Sequence, residues 1–131
     1  LDAGESLVVL GDFNDGPGLD EYEKLFGRSG IEIVIGDEDE MQLHDPHAEE
    51  MIRRPLGGIV HTSARFWLSD RKRWMETLLD YLMVSPDLRK KARDWRIWHP
   101  FDDPVCYKTP ELRAALLDAS DHFPVSVEID F

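Results

Sequence analysis

Three short apolar runs in this chain each carry an acid at or inside their margin. Leu7-Val8-Val9-Leu10 leads into Gly11-Asp12, "LLDYLMVS" at 78–85 encloses Asp80, and Asp121-His122 precedes "FPVSVEIDF". Runs of this length, continuous and partly β-branched, suit strands better than helices. An ionised carboxylate beside an apolar strand is costly to bury alone, so it is normally paired, hydrogen-bonded or bound to a cation. A chain built this way is expected to form sheets whose margins gather acids.

The remaining pattern fits that expectation. Leu7–Leu10 reads as a buried strand, Asp20–Phe26 as a short helix ending at Gly27, and Ile31–Ile35 as a second strand. "GDEDE" at 36–40 reads as a solvated acidic loop. Residues 41–75 are punctuated by Pro, Gly and charge, which predicts long loops with a strand near Gly58–Thr62 and another near Ala64–Leu68. Pro86-Asp87-Leu88 starts a turn or a single helical turn, and Ala92–Trp98 alternates as a strand. Thr109-Pro110 opens a helix through Leu117. In the last run Val125, Val127, Ile129 and Phe131 share one strand face. Strands with few short helices mean α+β or layered α/β rather than a helical bundle.

The 131 residues fit one domain, and no apolar run approaches the ~18–20 residues of a membrane span. The chain begins at Leu1 and reaches a strand almost at once, which reads as a piece of something longer. A single cysteine, Cys106, excludes an internal disulfide or a Cys-based zinc cluster and fits a reducing, cytoplasmic setting. The net charge of −12 repels phosphate backbones and argues against a general nucleic-acid-coating role. It is compatible with a phosphate-cleaving site, where carboxylates surround a divalent cation that reverses the local field.

Asp12, Asn14, Asp80, Asp121 and His122 together suit metal-assisted hydrolysis. Carboxylates bind Mg²⁺ or Mn²⁺ through oxygen, and histidine exchanges protons near neutral pH. Taken in order, "LVVLGDFND", "LLDYLMVS" and "ASDHFPVSVEI" resemble the C-terminal half of the endonuclease/exonuclease/phosphatase superfamily, a group that includes deoxyribonuclease-like enzymes. Separations of 68 and 41 residues between Asp12, Asp80 and Asp121 suit that resemblance, which spans residues 7–131. It implies that Asp12 orients or deprotonates the attacking water and that Asn14 hydrogen-bonds the scissile phosphate. It further implies that Asp121, with Asp12, contributes to the metal site, that His122 stabilises charge on the phosphate, and that Asp80 fixes the His122 tautomer. Mg²⁺ or Mn²⁺ is the implied cofactor, and a phosphate ester, nucleic acid among the options, the implied substrate.

The implied fold is a four-layer α/β/β/α sandwich with mainly antiparallel sheets, of which residues 1–131 supply the C-terminal half of one domain. An N-terminal half, holding the family's metal-binding Glu, would precede Leu1. Alone, this half would expose an apolar sheet face that the missing half or a second copy must cover.

Other readings stand beside these. "GDFNDGPG" by itself is a plain turn. Asp12, Asn14 and Glu23 also fall at positions 1, 3 and 12 of a calcium loop, but Pro17 sits where that loop needs Gly. Asp80 could serve a structural ion pair with Arg53 or Arg73. The whole chain could be a non-catalytic interaction module that keeps the fold without the metal-binding Glu. "HDPH" places His44 and His47 at a metal-like spacing, yet Pro46 argues for a solvated loop; His61 and His99 read as structural or exposed. "RFWLSDRKRW" interleaves Arg65, Arg71, Lys72 and Arg73 with Phe66, Trp67 and Trp74, which fits either base stacking with phosphate contact or a solvated loop over an aromatic plug.

Overall fold

Alternation along two strands sorts the side chains that matter most. The structure is a computed structural model and describes residues 4–17, 23–25, 27–37, 42–53 and 60–131. Strand β1 (Val8–Asp12) pairs antiparallel with β4 (Asp80–Val84), with Val9 opposite Met83 and Gly11 opposite Tyr81 on one face. Leu10 opposite Leu82 and Asp12 opposite Asp80 take the other face. The Val9 face packs on the helices: Ile31, Ile35, Leu43, Ala48, Leu78, Tyr81 and Met83 form the buried core, with Val9 and Phe13 against it.

Among the described residues the two remaining ladders are also antiparallel: β2 (Ala64–Leu68) with β3 (Arg73–Thr77), and β5 (Ala92–Ile97) with β6 (Val125–Ile129). Helices α1 (Gly30–Ile35), α2 (Pro46–Arg53), α3 (Pro86–Arg89), α4 (Pro104–Lys108) and α5 (Pro110–Ala119) complete an α+β arrangement with antiparallel sheets.

Two elements expected to be strand or loop are helices, and capping explains both. Ile31–Ile35 is β-branched enough to read as a strand, but Ser29 and Glu32 form a capping box at its start. Ile31 and Ile35 then share the buried helix face, while Ile33 and Val34 face outward. "HDPH" is likewise no solvated loop. Asp45 Oδ1 accepts from His47 N at 2.9 Å and Ala48 N at 3.2 Å, and Pro46 takes the first helical position, where a missing N–H costs nothing. His44 bonds Glu49 at 2.6 Å, and His61 bonds Glu50 at 2.8 Å.

Other expectations change as well. The Leu7–Leu10 strand exists, but it is not buried: Leu10 is 68% exposed, because that face of β1 has no layer over it among the described residues. The Gly58–Thr62 strand falls partly outside the described residues, and 60–62 are not strand; the Asp20–Phe26 helix is described only as a 3-10 turn at Glu23–Leu25. The expected strand at Ala64–Leu68 is present, but it pairs with a second strand, Arg73–Thr77, that the sequence pattern does not predict, since β3 is almost wholly exposed and has no apolar alternation to betray it. Helix α4 arises from Asp103, which caps Val105 N and Cys106 N while Arg96 grips it with two bonds of 2.7 and 2.8 Å.

Asp45 joins α2 to β4, because its other oxygen accepts from Leu82 N at 3.0 Å. Asp45→Ala removes the cap and orphans that N–H, with an expected loss of roughly 2–4 kcal/mol in urea unfolding. Burial holds the His47 imidazole neutral, lowering its pKa from 6.5 to about 4. Its contribution to stability is therefore full above pH 6.5 and lost as pH falls toward 4; His47→Gln is expected to flatten the acid limb of stability against pH over that window.

Candidate active site at the β1–β4 seam

In "GDFND" the strand β1 ends at Asp12 and the chain turns at Asn14, and the turn places the acid. Gly11 has a φ of 151°, open to glycine, and Phe13 N donates to Leu79 O at 3.0 Å, carrying the ladder one step past β1. Asn14 takes the left-handed conformation and donates its backbone N–H to Asp12 Oδ1 at 2.7 Å, an Asx turn that pins the carboxylate. The Tyr81 hydroxyl, 2.8 Å from Asp15 O and 3.0 Å from Leu78 O, ties the next residues to β4.

Opposite, Asp80 leaves the same face from β4. Its Oδ2 accepts from His122 Nδ1 at 2.8 Å and from the Ser63 hydroxyl at 2.7 Å. Ser63 is fully buried, and its oxygen also accepts from Leu79 N and Asp80 N, both at 3.0 Å. One hydroxyl thus clamps both the backbone and the carboxylate of the β4 entry. Its position in "HTSARF" carries no spacing signal, so sequence reasoning had no handle on it. His122 is held by main-chain bonds on either side: Arg65 N donates to Asp121 O at 2.8 Å and Phe123 N to Ser63 O at 2.6 Å.

Ligand atoms of Asp12, Asp80 and His122 lie within 4.8 Å of one another. The structure thus brings together three of the residues singled out from sequence, with Asn14 on the Asp12 turn. Asp121 lies outside this trio, exposed and adjacent to His122. Asp80 has neither Arg53 nor Arg73 as a partner here; Arg53 pairs with Glu49 across 3.7 Å. A cleft of about 200 Å³ borders the seam, lined by Asp12, Asp80 and Phe123 among others.

The electrostatics follow from this geometry. The bonded Asp80 carboxylate raises the His122 pKa above its ordinary 6.5, partial burial opposes it, and the charges of Asp12 and Asp121 add to the rise. With Nδ1 given to Asp80, Nε2 is the nitrogen left for other chemistry. The two carboxylates suit a hard divalent cation bound through oxygen, and the imidazole stands beside them.

In the metal-free protein, His122 is expected to titrate above pH 6.5 by NMR, and Asp80→Asn should bring its midpoint down. The linked stability is full below pH 6.5 and lost as pH rises through the folded midpoint, the opposite sign to His47. Ser63→Ala orphans two backbone N–H groups, with an expected loss of roughly 1–3 kcal/mol in urea unfolding.

No curated protein matches this chain, and no solved structure does. A family model does: that of the endonuclease/exonuclease/phosphatase family matches residues 1–122. That span contains Asp12, Asn14, Asp80, Asp121 and His122, so the acids and the histidine that meet at the β1–β4 seam all lie inside the matched region. The chain belongs to the endonuclease/exonuclease/phosphatase family.

Proposed function

We propose that this chain carries the C-terminal part of a Mg²⁺- or Mn²⁺-dependent phosphoesterase, hydrolysing a phosphodiester or phosphomonoester by direct attack of water. The observation that carries the reading is the convergence of Asp12, Asp80 and His122 in a chain of this family. A bound divalent cation would neutralise charge developing on the phosphate. Asp12 and Asp121 are the residues assigned to hold it, and Asp12 also orients or deprotonates the attacking water. Asn14 donates to the scissile phosphate. His122, kept in one tautomer by Asp80, presents Nε2–H to the phosphate oxygens. No Ser or Cys stands in a motif, so a covalent intermediate is not part of the proposal.

The same reading makes residues 1–131 part of a four-layer sandwich. Support comes from β1, whose Val8 and Leu10 stay exposed on the face away from the helices. An N-terminal half bearing the second sheet and the metal-binding Glu would cover them.

The test is divalent-dependent hydrolysis of an aryl phosphodiester by the longest natural form of the protein. Activity should vanish with EDTA and return with Mg²⁺ or Mn²⁺. His122→Ala should lower kcat/KM by about 10²–10⁴-fold, and Asp80→Asn by about 10–100-fold with the alkaline limb of the pH profile shifted down. An inert protein that no divalent cation stabilises would instead be an interaction module, and these roles would fall.

A further inference from the structure

The β2–β3 hairpin carries the "RFWLSDRKRW" motif, which this site does not absorb. From Ala64 to Thr77 it holds four cations and two acids, in a chain of net charge −12. Three of the cations, Arg71, Lys72 and Arg73, cluster at its turn. Trp67 and Trp74 face each other directly across the ladder, edge to face with ring centroids 5.6 Å apart. They are 50% and 51% exposed. Arg65 lies on the same face with its guanidinium carbon 3.9 Å from the Trp74 centroid and 5.3 Å from that of Phe101. Glu76 Oε1, 3.3 Å from Arg65 Nε, steadies it there.

Both arms of the hairpin are rooted in the candidate site. Ala64 bridges His122, Ser63 N donates to Thr77 O at 3.0 Å, and β3 runs through Leu78 and Leu79 directly into Asp80. Bridged residues share a face, so His122 lies on the Ala64 side, while Arg65, Trp67 and Trp74 take the reverse. Trp67 is three residues along β2 from Ala64, about 10 Å at ~3.3 Å per residue.

We propose that this hairpin is a binding platform for single-stranded nucleic acid, taking bases on Trp67 and Trp74 and backbone phosphates at Arg71, Lys72 and Arg73. Exposed aromatic faces beside cations are the chemistry that holds unpaired bases without reading their sequence. The acidic surface elsewhere repels a polyanion and confines it to the hairpin. Because the platform lies across the ribbon from His122, it holds nucleotides away from the cleaved bond, and very short substrates do not reach it. The inference rests on the phosphoesterase reading for its biological sense, but binding can be measured without turnover.

The experiment uses the longest natural form and oligothymidylates of graded length up to about ten nucleotides. Binding is read from the fluorescence anisotropy of a dye-labelled oligothymidylate, and kcat/KM is compared with that for an aryl phosphodiester. Binding that grows with length, weakens with salt and is lost in Trp67→Ala/Trp74→Ala is expected. The ratio of oligonucleotide to aryl-diester kcat/KM should fall roughly tenfold or more in that variant. Trp67→Phe/Trp74→Phe, which keeps the ring faces, should retain most binding, and Arg71→Ala/Lys72→Ala should reduce the salt slope by about 2. Binding without hydrolysis of either substrate would uphold the platform and remove the phosphoesterase reading. Hydrolysis of the aryl diester with no length-dependent binding would do the reverse. Tighter binding of labelled duplex DNA or of a labelled proline-rich peptide than of oligothymidylate would overturn the platform.

Discussion

Two carboxylates stand directly opposite each other at the end of the β1–β4 ladder, and the local structure is organised around that repulsion. Like charges in facing positions of an antiparallel pair weaken it. Here Asp12 and Asp80 meet where the strands open into a turn, and each is held by its own donors. Asp12 takes the Asn14 N–H, and Asp80 takes a serine hydroxyl and an imidazole. A positive charge on His122 eases the pair, and a divalent cation would ease it further.

Each support comes from a different part of the fold. Ser63 and His122 belong to neighbouring backbone segments stitched by Phe123 N and Arg65 N, so the imidazole and the hydroxyl reach Asp80 as one unit. Behind the seam, Tyr81, Met83 and Val9 point into a core closed by α1 and α2, and Asp45 bolts α2 onto Leu82. Register is hard to shift under such constraints. A slip of one residue would turn Tyr81 and Met83 outward and carry Asp80 into the core. The register that buries the apolar face is the one that aligns the two acids.

The hairpin adds a different kind of constraint. It runs directly into the strand that begins at Asp80 and is bridged to His122 at Ala64, so whatever it grips is placed relative to them by main-chain geometry. Its exposed indoles would be a liability on an inert surface, and in the proposed reading the cations near the turn make them a polar-rimmed aromatic platform instead.

Much of the site was legible in the chain because its signals are local. Apolar runs ending on Asp12, enclosing Asp80 and preceded by Asp121-His122 announce strands with acids at their margins, and the order of those motifs points to the family. The strands at 64–68, 80–84, 92–97 and 125–129 follow from the same patterns. Other features needed the tertiary structure. Ile31–Ile35 is helical because a capping box outweighs β-branched propensity, and "HDPH" begins a helix because Asp45 finds both a cap position and a strand N–H. Strand β3 has no burial to imprint a pattern, and Ser63 acts through a contact with a residue 17 positions away. Which acids face each other, which hydroxyl holds them and which side of the ribbon the tryptophans take are matters of register, and register is decided by packing between distant segments rather than by any one of them alone.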